Sequence, residues 1–130
     1  RFALRVYYED TDAGGIVYYA NYLKFAERAR TEMLRCFGLP PERLAREAGI
    51  GLVVRRAAVD FLAPARLDDA LVVTTRLVAY GGATLDLAQE VWRDGDALVR
   101  LGIRLACLVA GCLLGLGLAA LVDRRAGLAT

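Results

Sequence analysis

The sequence predicts an α+β domain in which one long helix lies against an antiparallel sheet of about five strands. Three observations lead to this class. A segment near the N-terminus repeats apolar residues every three or four positions, which is the helical period. Four later segments alternate apolar and polar residues with period two, and tight glycine-bearing turns separate most of them at hairpin spacing. Consecutive alternating runs joined by short turns pair antiparallel, and one amphipathic helix suffices to cover one face of such a sheet. The 130 residues fit a single domain, and 57% apolar with 25% charged residues describes a packed globule, not a disordered chain.

The elements follow in order. Phe2 to Tyr8 is rich in aromatic and β-branched residues and reads as the first strand. Glu9 to Gly15 forms an acidic loop ending in two glycines, and Ile16 to Tyr19 leads into the helix. Tyr22, Phe25, Ala26, Ala29, Met33 and Phe37 make its apolar stripe; Lys24, Glu27, Arg28, Arg30, Glu32 and Arg35 occupy the other face. Glu27 with Arg30, and Arg28 with Glu32, have the spacing of ion pairs across a turn. Asn21 is the expected N-cap, and Gly38 before Pro40-Pro41 is the stop. Pro41 to Ala48 reads as a short second helix closed by Gly49. Strands are expected at 51–61, 71–80, 83–93 and 97 to about 108, with Gly81-Gly82 and Asp94-Gly95 as the last two turns.

Composition excludes several functions. Seventeen basic against fifteen acidic residues leave a net charge of +2, too near neutral for a nucleic-acid binder. The chain has no histidine, which removes Ser-His-Asp and Cys-His hydrolysis and imidazole zinc sites, so no metal site is expected. Cys36, Cys107 and Cys112 are odd in number, lack C-x-x-C spacing and lie among apolar residues. They read as small buried hydrophobes in a reducing compartment. No signal-peptide pattern opens the sequence, so the expected location is cytoplasmic.

What remains is carboxylate chemistry. Tyr7 to Tyr22 reads YYEDTDAGGIVYYANY, placing acids in a tight glycine loop just before a long helix. The first turn of that helix offers unpaired N–H groups and partial positive charge, which can hold an oxyanion. A neighbouring carboxylate can attack a carbonyl or activate water. The same features also suit a loop that merely caps a helix.

This run, together with the ERARTE segment from Glu27 to Glu32 and APARLDD from Ala63 to Asp69, resembles the YbgC-like acyl-CoA thioesterases. These belong to the 4-hydroxybenzoyl-CoA thioesterase group of hotdog-fold proteins, and the resemblance extends over roughly residues 2 to 108. It implies a hotdog domain that hydrolyses acyl-CoA thioesters without metal or other cofactor. Asp12 matches the catalytic carboxylate, acting as nucleophile or general base. Tyr19 matches the residue whose backbone N–H binds the thioester oxygen; many close relatives carry histidine there. Gly15, Val17, Tyr18, Arg66, Gly81 and Gly82 fall at substrate-binding positions. The substrate is then acyl-CoA or the pantetheine arm of acyl carrier protein. The resemblance further implies a homodimer or homotetramer with sites at subunit interfaces, in a group often associated with the Tol–Pal system. A non-catalytic acyl-thioester binder and an envelope-associated scaffold are the rival readings.

Other residues have plainer readings. Asp10 is expected to hydrogen-bond within the loop. Glu27, although another hotdog lineage uses a helix carboxylate, is expected to be structural or ion-paired. Arg55, Arg56 and Arg66 are exposed cations, solvated or in contact with CoA phosphates. Leu105 to Val122 carries no charge, but the last strand needs its first four residues, and the remainder is too short to span a bilayer. The domain is therefore expected over 1–109. Residues 110–130 form an apolar tail that the resemblance does not explain, packed on the same domain or a neighbouring subunit.

Overall fold

The structure, a computed structural model, describes residues 1–108. The apolar tail, Cys112 and the expected extra packing over 110–130 lie outside the described residues. Within them the chain forms strand β1 (Phe2–Arg5), helix α1 (Asn21–Cys36), a short helix α2 (Pro41–Arg43) and strands β2 (Gly51–Phe61), β3 (Ala70–Gly81), β4 (Thr84–Arg93) and β5 (Asp96–Leu108). The five strands make one antiparallel sheet in the order β1-β3-β4-β5-β2, with α1 along its inner face. This is the α+β arrangement the sequence pattern predicts and the hotdog architecture the resemblance implies.

Strand alternation sorts the residues. Leu85, Leu87, Gln89 and Val91 of β4 and Leu101, Ile103 and Leu105 of β5 are buried, whereas the residues between them are partly or fully open to solvent. The buried set meets Tyr22, Phe25, Ala26 and Ala29 from α1, together with Val6, Leu71, Val73 and Val99. Phe25 is completely buried, worth roughly 2–3 kcal/mol of transfer free energy. A second cluster of Leu34, Leu39, Leu44, Ile50 and Cys107 holds the other end of the helix. α1 therefore runs the length of the sheet, with its N-terminus at the end where β2 finishes and β3 begins.

Several local expectations change. The first strand stops at Arg5, because Val6 exchanges backbone hydrogen bonds with Asp68 and Asp69, and Tyr8–Asp10 then winds into a 3-10 turn. α1 starts at Asn21 with Ala20 as its cap, so Asn21 is not the N-cap. Arg30 is not on the solvent face: it is 8% exposed and hydrogen-bonded to Gln89. The ion pair formed on α1 is Glu32 with Arg35, at 3.4 Å. Cys36 is exposed at the helix end; Cys107 is buried, and burial pushes its thiol above the ordinary range. The second helix continues from Arg43 as a π-type turn over Leu44–Ala48. In the β4–β5 hairpin Asp94 and Gly95 both take positive φ, the backbone a two-residue turn of this hand needs. The β3–β4 turn shifts by one residue, to Gly82-Ala83.

Candidate active site

The acidic loop is fixed at both ends. Asp10 is buried; its carboxylate accepts the Tyr7 N–H at 2.9 Å. Its carbonyl accepts the N–H of Tyr18 at 2.9 Å and the Asn21 side-chain amide at 2.8 Å. Asn21 is thus a tie between loop and helix. Asp10 holds this loop, as expected of it, and is not free for chemistry.

Asp12 has a different environment. Its N–H donates to Ile16 O, and its carbonyl accepts from Gly15 N–H, each at 3.0 Å, closing a tight turn. Its carboxylate is exposed and accepts one hydrogen bond, from Gly14 N–H at 2.8 Å. Among the described residues no arginine or lysine stands within 4.0 Å of it. A Cβ at position 14 would stand 3.1 Å from Asp12 Oδ1, so glycine is what lets the carboxylate lie across the turn. Gly15 takes φ +77°, a conformation closed to most side chains.

One isolated β-bridge, Thr11 to Val17, closes this loop on itself, and another, Ile16 to Arg66, joins it to the segment before β3. Val17 N–H donates to Ala65 O at 2.9 Å, and Ala65 N–H donates to the Tyr22 hydroxyl at 3.0 Å. Arg66 is thereby held beside the acidic loop. Its own N–H is taken by Asp69 at 2.8 Å, and the same carboxylate oxygen binds Arg93 at 2.8 Å.

Tyr18 and Tyr19 lie in a turn closed by the Asn21 N–H on Tyr18 O at 2.9 Å. Tyr19 therefore precedes the helix proper, and among the described residues its N–H has no backbone acceptor. Its hydrogen bond to Tyr18, with a smaller push from the Asp12 charge, raises the Tyr18 hydroxyl above the ordinary phenol range. Tyr18 accordingly stays neutral beside the acid. The Tyr19 ring meets Phe61 edge-on at 6.2 Å.

Next to Tyr19 a cleft of about 330 Å³ opens between Ile16, Val17, Tyr19, Tyr22, Phe61, Leu62, Ala63 and Pro64. Its lining is mostly apolar, and it joins the helix entrance to the end of β2. Of these, the sequence marks only Val17 and Tyr19 as candidate site residues. Phe61-Leu62 directly before the Ala63-Pro64 break was the available signal. A larger open groove, about 980 Å³, runs along β1 and shares none of these residues.

The structure thus gathers Asp12, Gly15, Val17, Tyr18, Tyr19 and Arg66 at one end of the sheet. Gly81 and Gly82 are elsewhere. Gly81 ends β3 and Gly82 opens the turn after it; the other end of β3 lies by the acidic loop, and a strand of 12 residues spans roughly 36 Å. Glu27 is exposed and lines a second cleft with Arg30, whose charged form it favours against burial. Among the described residues no cluster of potential metal ligands occurs. No helix there is long and apolar enough to cross a membrane.

A long helix on a five-stranded antiparallel sheet, entered through an acidic glycine turn, defines a hotdog domain with its candidate site at the helix entrance. The chain belongs to the thioesterase superfamily, whose sequence profile matches residues 14–100. It is similar to the acyl-CoA thioesterase YbgC of Haemophilus influenzae, 44% identical over 110 residues, covering 85% of this chain and 81% of the relative. The acyl-CoA thioester hydrolase YbgC of Escherichia coli O157:H7 is 48% identical over 99 residues, covering 76% and 73%. Among solved structures, a protein from Bartonella henselae described as a probable thioesterase superposes with a TM-score of 0.81 at 35% identity, covering 84% of this chain and 90% of that one.

Proposed function

We infer that this chain hydrolyses acyl-CoA thioesters to the free acid and CoA. The observation that carries this reading is the uncompensated carboxylate of Asp12, held on one hydrogen bond near an unpaired Tyr19 N–H and an apolar cleft. A carboxylate with no cationic partner is open to water or to a carbonyl carbon, whereas one locked to arginine would favour a binding-only role. The names of the relatives support the substrate class.

In the proposed reaction the acyl group occupies the cleft and its carbonyl oxygen accepts the Tyr19 N–H. Asp12 removes a proton from water, whose oxygen adds to the carbonyl carbon. The C–S bond then breaks and the sulfur leaves as thiolate, taking up the proton that Asp12 gained. A direct attack by Asp12, followed by hydrolysis of the anhydride, is the other course open to the same carboxylate. Only the backbone of Tyr19 is required, so a tyrosine in place of histidine leaves the oxyanion contact intact. Arg66, whose backbone bridges to Ile16 of the loop, would supply the cation that meets a CoA phosphate.

Release of free thiol from a panel of acyl-CoAs tests this directly. Asp12→Asn should lower kcat by about 100-fold or more on every active substrate, the usual scale for losing a general base. A mutant that retains native kcat on all of them would overturn the mechanism.

A further inference from the structure

Residues 10–12 and 16–18 form a miniature hairpin that carries the acid. Tyr18 N–H donates to Asp10 O at 2.9 Å, Asp12 N–H donates to Ile16 O at 3.0 Å, and Thr11 bridges to Val17 between them. Asp12 closes the tip with Gly15, so the root lies at Asp10 and Tyr18. The limb of residues 16–17 leans on Ala65 and Arg66. The limb that bears Asp12 is held at its root instead. There the Asp10 carbonyl accepts a second donor, the side-chain amide of Asn21 at 2.8 Å, and both lone pairs of that oxygen are engaged.

Asn21 also acts through its backbone. Its N–H donates to Tyr18 O at 2.9 Å. That carbonyl belongs to the peptide unit whose other end is the Tyr19 N–H. A trans peptide unit is planar, so its C=O and N–H point in opposite directions, and fixing one aims the other. One residue, 9% exposed, therefore grips the oxyanion donor by its main chain and the root of the acid's hairpin by its side chain. The helix has no need of this amide: Ala20 is its cap, and the bond runs to the loop.

We propose that Asn21 is a positioning residue for thioester hydrolysis, setting the Asp12 carboxylate at its working distance from the Tyr19 N–H. This role rests on the hydrolase reading, in which the two groups act on one carbonyl. From Asp10 to Asp12 is two strand steps, roughly 7 Å, so a tilt of about 10° at the root moves the acid by about 1 Å. A misplacement of that size can cost about 100-fold in rate. The grip of Ala65 and Arg66 on the other limb restrains the tilt, which brings the expected loss nearer to about tenfold. Asn21 does not line the apolar cleft, so acyl binding should be spared.

Thiol release from a panel of acyl-CoAs tests this in the full chain. Asn21→Leu keeps the shape of the side chain and removes its donor; Asn21→Ala removes both. Asp10 O retains the Tyr18 N–H in each, so neither strands a buried carbonyl, and Tm should move by only a few degrees. Each variant should lower kcat roughly tenfold on every active substrate and leave KM within about twofold. In a chain already carrying Asp12→Asn, Asn21→Ala should lower the residual kcat by less than about twofold, since no acid remains to be misplaced. A general loosening of the fold would instead multiply through both backgrounds. Native kcat in either folded variant, a loss confined to KM, or an undiminished loss without the Asp12 carboxylate each overturns the proposal and leaves hydrolysis by the native chain standing. A native chain that releases no thiol from any acyl-CoA overturns the hydrolase reading, and this role with it.

Discussion

Asp12 and Gly14 show how little separates a carboxylate held open to solvent from an ordinary turn. The acid is aimed by one backbone N–H, and the donor residue has no side chain to push it away. Gly14→Ala should therefore lower kcat for thiol release roughly tenfold, as expected of a misplaced catalytic group, while shifting Tm by only a few degrees. Unchanged kcat would mean that the carboxylate does not need this position. At this scale the sequence marks Asp12 and Tyr19 as candidates because a contiguous stretch carries both. It misled on Asn21, whose residue type suits a cap but whose side chain reaches back to Asp10. It was silent on most of the cleft, because Phe61 and Leu62 meet Tyr19 only after the β2 end folds beside the helix entrance.

Among the elements, α1 is fastened by more than its apolar stripe. Gln89, fully buried on β4, donates to the Ala26 carbonyl and to Thr75 Oγ1, and accepts from Arg30, each at 2.9 Å. Removing Gln89 would strand a buried guanidinium. Gln89→Leu should cost about 3–5 kcal/mol of stability, measured by urea denaturation, and adding Arg30→Met should restore much of the loss. Equal stabilities for single and double variants would show that Arg30 finds water instead. The stripe and the strands were legible because period is a property of contiguous sequence. Arg30 was not, since it adjoins the stripe and only its partner decides where it points. Gln89 did leave a trace: it is the one polar residue in the inward row of Leu85, Leu87 and Val91.

For the whole molecule, charge ties hold the site end together. Burial opposes ionisation of Asp69, but the Arg66 N–H and the Arg93 guanidinium outweigh it, and its carboxyl lies below the ordinary range. A depressed carboxyl stabilises fully above its unfolded value of about 3.9, and the contribution fades as pH falls through the lower folded value. Thermal stability should thus fall on acidification below about pH 4, and Asp69→Asn should flatten that dependence. A mutant curve parallel to the native one would assign the acid transition to other groups. The sequence indicated the sheet and its helix but not this knot, whose members Arg66, Asp69 and Arg93 come from two segments joined only by the β3–β4 register.

The placement of Gly81 and Gly82 at the far end of β3 from Asp12 separates two effects that a substitution usually mixes. Gly82 takes φ +56°, so Gly82→Ala strains the hairpin and should lower Tm, while the carboxylate roughly 36 Å away along the strand keeps its turn. Thiol release per folded chain should then stay at the native value, and a change in it would assign the hairpin a part in binding substrate.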